Sequence, residues 1–170
     1  MSSWYFRATT HLPLRLKGRL IEATLALPYE FVIPDVMLVQ ELLDLGSYSR
    51  ADLLRLGFKL GDLDGDGVGG ALRHYKDYHG DLSLNDCFAL VLAQRLGCIL
   101  LTDEGNLRAV AEKMRLEVRS LLWTAEQIFH HNTCPIEQLL CSLETLERDG
   151  SARPRRPELA HLIASLRRRR

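Results

Sequence analysis

The stretch Ser83-Leu-Asn-Asp-Cys-Phe-Ala-Leu-Val-Leu-Ala-Gln-Arg-Leu-Gly-Cys-Ile-Leu-Leu-Thr-Asp-Glu104 decides the reading of this chain. A serine followed three residues later by an acid has the look of a capping box, so a helix is expected to start at Ser83. Only Gln94 and Arg95 interrupt the apolar run from Cys87 to Leu96, which predicts a helix buried nearly all round. Gly97 ends it. Cys98 to Leu101 is then a continuous apolar run of strand length, and Thr102 to Asn106 a polar turn into a helix over 107–114.

Working outward, Trp4 to Ala8 is compatible with a first strand and precedes a helix running to about Leu27. Phe31-Val-Ile33 reads as a strand closed by Pro34-Asp35, with a helix over 36–44. A short helix over 49–56, a weak strand over 57–61 and a helix over 68–78 follow. Leu116 to Arg119 suggests a further strand, and 121–129, 136–146 and 157–166 three more helices. Strands alternating with helices predict an α/β fold: a parallel central sheet flanked by helices, with extra helices at the C-terminus. The expected organisation is one domain over 1–148, then an Arg-rich linker, helix and tail over 149–170.

The chain has 170 residues and a formal net charge of zero, but the charge is unevenly placed. The last twenty residues hold seven arginines and one acid, Glu158; seven minus one is +6, which leaves −6 for the rest. Such a tail is either a solvated terminus or an arm for a phosphate backbone. No apolar stretch is long enough to span a bilayer, and the first residues lack the layout of a secretion signal, so a soluble, cytoplasmic protein is expected. Cys87, Cys98, Cys134 and Cys141 stand at irregular spacings and read as small buried hydrophobes without disulfides.

A tight turn at Gly97 makes the helix and the strand after it run in opposite directions, which carries Asp86 toward Asp103 and Glu104. If the strand 31–33 is parallel to 98–101, the helix after it brings Glu41 to the same edge. That edge, outside the carboxyl ends of the strands, is where open α/β sheets bind ligands. Gathered carboxylates repel unless a cation neutralises them, and oxygen-only ligands favour Mg²⁺ or Mn²⁺. Each acid also has a plain structural reading, since helix starts attract acids for their dipole. Asp62-Leu-Asp-Gly-Asp-Gly67 opens like a calcium loop, but Arg73 stands where the closing glutamate belongs, so a plain turn is expected. His130, His131, Cys134 and Cys141 invite a zinc reading that a helix break over 132–135 would scatter.

Residues 82–108 resemble the second half of a PIN domain: a Ser-Leu-x-Asp helix start, an apolar helix and strand, a threonine, and an acidic turn ending in Leu107-Arg108. Phe31 to Leu43 is similar to the family's strand-proline-helix unit, whose glutamate matches Glu41; the resemblance covers residues 30–123. It implies a three-layer fold and a metal-dependent endoribonuclease, with Glu41, Asp86 and either Asp103 or Glu104 holding Mg²⁺ or Mn²⁺. It also implies an RNA substrate, a toxin role with an antitoxin partner, and a homodimer. The family's first-strand aspartate falls near Arg7 or Ala8, and no acid occurs before Glu22. The alternative is a catalytically degenerate domain that binds RNA or oligomerises.

Overall fold

The computed structural model describes residues 6–10, 20–36, 50–149 and 156–169. In chain order the elements are β1 (Phe6–Thr10), α1 (Leu20–Leu25), β2 (Tyr29–Pro34), α2 (Arg50–Leu56), β3 (Lys59–Gly61), α3 (Gly65–Asp77) and α4 (Leu84–Leu96). There follow β4 (Ile99–Leu101), α5 (Gly105–Lys113), β5 (Val118–Arg119), α6 (Leu121–His131), α7 (Ile136–Asp149) and α8 (Arg156–Arg168). The fold is mixed α/β, as the alternation of periods predicts. Helix α3 begins three residues earlier than expected because Asp64 caps it, accepting a hydrogen bond from the Gly67 N–H. The expected helix over 36–44 lies outside the described residues except for its start.

All the strands pair in parallel, in the order β3-β2-β1-β4-β5. The chain thus winds outward in one direction from β1 through β2 to β3, then returns to the other side of β1 with β4 and β5. Ala8 is level with Phe31 and Ile99, and Thr9 with Val32 and Leu100. The order reverses between β1 and β4, the switch point at which such sheets open a crevice at their carboxyl ends.

Helix α4 lies against β1, β2 and β4. Phe88, Leu90, Val91, Leu92 and Ala93 are all buried, which is the physical content of its all-round apolar pattern. Its approach to β3 is close: a Cβ added at Gly61 would collide with the Leu92 side chain, so glycine is required there by contact. Val32 borders the same space. On the alternate side of β2, the Tyr29 ring meets Trp123 of α6, and its hydroxyl donates to Gln127 Oε1 at 2.6 Å. Phe31 packs edge-on to Phe58 on that side.

Three helices end in the same way. At Gly97 (φ 58°), Arg115 (φ 58°) and Asn132 (φ 52°) the backbone turns left-handed. The following N–H reaches back, Cys98 to the Ala93 carbonyl, Leu116 to Ala111 and Thr133 to Ile128. This closure consumes carbonyls that the helix leaves unpaired. Asn132 is thus the helix break expected after His131. Among the described residues, no helix is long and apolar enough to cross a membrane.

Candidate functional site

The edge at the carboxyl ends of the strands is assembled by α4, β4 and α5. Ser83 caps α4: its Oγ accepts from the Asp86 N–H at 3.1 Å, while Asp86 Oδ2 accepts from the Ser83 N–H at 2.8 Å and from its hydroxyl at 2.7 Å. This is the reciprocal box that the sequence pattern suggests. It fixes the orientation of Asp86, which is only 9% exposed. Oδ1 receives no hydrogen bond from a described residue, so the carboxylate is anchored through one oxygen and open through the other.

A single bond demonstrates that the start of α4 and the end of β4 are neighbours. Asn106, in the first turn of α5, donates through Nδ2 to the Asp81 carbonyl, two residues before the Ser83 cap, at 3.1 Å. The turn between β4 and α5 is itself stiffened by Thr102, fully buried, whose Oγ1 accepts from the Glu104 N–H at 3.0 Å. Arg108 donates to the Thr102 carbonyl at 2.9 Å from one turn into α5. The threonine and the arginine of the motif hold the acidic turn in place.

The two acids of that turn have separate tasks. Asp103 Oδ1 accepts from the Leu121 N–H at 3.3 Å, so its carboxylate serves the start of α6. Glu104 occupies the N-cap position of α5 without making a side-chain cap bond. Both are partly exposed. Glu41 lies outside the described residues, as do Met37, Leu38 and Leu45 around it. Among the described residues, no group of three or more His, Cys, Asp or Glu is placed to hold a metal.

Sequence reasoning missed Asp35. It follows Pro34 directly, and by register it leaves β2 at about the level where Asp103 leaves β4, with β1 between them. Two inter-strand spacings amount to about 10 Å. Among the described residues, Asp35 Oδ1 is shut away from solvent with no hydrogen-bond partner, and so is Asn85 Oδ1, beside Asp86 in α4. Buried acceptors are normally paired, and an unpaired carboxylate oxygen is costly. The signal was available, since an acid directly after a parallel strand sits on the binding edge.

Strand β1 reads Phe-Arg-Ala-Thr-Thr and contains no acid. Cys87, next to Asp86, is buried, and burial, with the Asp86 charge adding to it, pushes its thiol up to about 11. It is therefore an inert thiol at neutral pH. Cys98 is also buried, but Cys134 is half-buried and Cys141 exposed, which corrects the expectation that all four are core residues. Cys141 is on the outer face of α7, where an apolar residue type gave no hint of exposure. The Asp62–Gly67 stretch is a short loop after β3 followed by the capped first turn of α3: Asp64 pairs with Arg95, and the Gly67 N–H and Arg95 together hold its carboxyl below the ordinary range. No protein-family model, curated protein or solved structure matches the chain.

Proposed function

We propose that this chain is a three-layer PIN-type domain that hydrolyses RNA phosphodiester bonds at the carboxyl edge of its sheet, with a divalent metal ion. The observation that supports the reading is the bond from Asn106 to the Asp81 carbonyl, which ties the loop leading into α4 to the first turn of α5 at the carboxyl edge of a parallel sheet. The donor set fits a hard cation. It is made of oxygens alone, Asp86 presents Oδ1 while Oδ2 is anchored, and the edge also carries the orphaned Asp35 Oδ1 and Asn85 Oδ1.

Asp86 and Glu104, together with Glu41, are the residues proposed to hold Mg²⁺ or Mn²⁺. When bound, such an ion polarises a phosphoryl oxygen and lowers the pKa of a coordinated water. The chain's own contribution is positioning. Ser83 orients Asp86, Thr102 and Arg108 fix the turn that carries Glu104, and Asp103 joins that turn to α6. Partners of this kind, which orient the groups that touch the metal, account for much of a metal site's strength.

A second reading has its own observation. Because β1 carries no acid, the chemistry can have lapsed while the fold continues to bind RNA or to oligomerise. The antitoxin partner and the homodimer are proposals carried by the PIN resemblance.

The test is hydrolysis of structured and single-stranded RNA by purified protein with Mg²⁺ or Mn²⁺. Asp86→Asn is expected to lower the rate by about 100-fold or more, since changes to residues that only orient a metal's ligands already cost about 10- to 100-fold. Its circular dichroism should remain that of a folded chain. Absence of cleavage by the native protein, with no metal detected by calorimetry, removes the hydrolase and leaves the binding module.

A further inference from the structure

The far side of the molecule carries a charged surface that the hydrolase reading does not use. Tyr29 opens β2, and its ring meets His131 at 6.3 Å between centroids, so the last turn of α6 lies beside the start of that strand. His130 stacks edge-on against His131 at 5.2 Å, and both are exposed. The end of α8 reaches the same turn: the Arg169 guanidinium carbon lies over the Phe129 ring at 5.8 Å. Arg167 is engaged with Glu144 at 2.7 Å, whereas Arg168 and Arg169 are exposed.

We propose that Arg168, Arg169, His130 and His131 form a binding surface for single-stranded nucleic acid, separate from the acidic edge. Three features fit that partner. Two exposed arginines adjacent in the chain can meet phosphates along a backbone. Contact with Phe129 restrains Arg169 before any ligand arrives, which reduces the entropy lost on binding. The exposed imidazoles, with half-buried Phe129 beside them, offer flat faces on which bases stack. An anionic membrane fits less well. Leu159, Leu162, Ile163 and Leu166, the apolar face of α8, are buried against the protein, and α8 packs on α6 and α7, so no apolar stripe remains for insertion.

This surface does not rest on the metal site, so binding is measured in EDTA, where the full-length protein cannot cut by a metal-dependent route. The probe is a fluorescein-labelled twelve-nucleotide oligouridylate, titrated across a series of salt concentrations. Replacing Arg168 and Arg169 together by Ala removes two phosphate contacts and should flatten the slope of log K against log salt by about 1.4, at about 0.7 per contact on a single strand. Arg148→Ala, on an exposed position of α7, should leave the slope unchanged. His131→Ala should weaken binding without altering the slope, because stacking is not ionic. The proposal is overturned if the double variant binds with native affinity and slope, if the native protein does not retain the oligonucleotide, or if phosphatidylserine vesicles capture it in preference.

Discussion

The two ends of the molecule use charge in opposite ways. At the carboxyl edge of the sheet, Asp86 and Asp103 are locked to backbone N–H groups of helix starts. At the α6–α8 end, Arg168 and Arg169 stand in solvent, and the Arg169 guanidinium lies over an aromatic face. A locked carboxylate has its direction set by the fold and suits a ligand with strict geometry, such as a metal ion. A solvated guanidinium suits a flexible polyanion, for which reach and charge matter more than angle.

The widest expected gap between the two regions is in thiol chemistry. With its thiol pushed to about 11 from an ordinary 9.0, Cys87 has a thiolate population about 100-fold below that of an unperturbed thiol at neutral pH. Mass spectrometry after iodoacetamide treatment should find exposed Cys141 labelled first and Cys87 labelled only on unfolding. Equal labelling would mean that the α4 face opens readily. The raised value also has a stability consequence. The folded state holds the Cys87 proton more tightly than the unfolded state, so this contribution is complete below about pH 9 and is lost as pH rises from about 9 to about 11. A urea midpoint that is flat across that window would contradict it.

Next in size is the core beneath the acidic edge. Leu90 is fully buried, and Leu90→Ala should cost about 2–5 kcal/mol in urea unfolding. The same truncation at Leu72, which is 50% exposed on α3, should stay within about 0.5 kcal/mol. Similar losses at both positions would dissolve the contrast between a packed α4 and an open α3.

The smallest effect is at the cap. Ser83→Ala should cost about 1 kcal/mol of stability while lowering hydrolysis about 10- to 100-fold, because it also releases Asp86. Loss of stability with unchanged hydrolysis would separate the cap from the site.

The α4–β4 unit was legible because each of its signals is local: a serine and an acid one turn apart, an unbroken apolar run, a glycine that accepts the left-handed turn. Its consequence, the loop before α4 lying against the start of α5, follows from a short connection alone. What depended on distant chain was not legible. That Asp103 serves the start of α6 is decided by chain eighteen residues further on, whose Leu121 N–H donates to it. Asp35 was read as the end of a strand, since its burial without a partner exists only once the sheet is assembled. The start of α3 was missed because four glycines within its first two turns obscure a helix that the Asp64 cap sustains. Glu41 falls outside the described residues, whereas Asp35, Asp86, Asp103 and Glu104 lie within them.

The most direct test of a shared acidic pocket is Mn²⁺ added in substoichiometric steps to the isotope-labelled protein, read as paramagnetic broadening of backbone amide signals. Broadening is expected to centre on Asp35, Asn85, Asp86 and Glu104, to spare His130 and Arg168, and to be abolished by Asp86→Asn. Broadening scattered over unrelated surface acids, or unchanged in Asp86→Asn, would contradict the shared pocket.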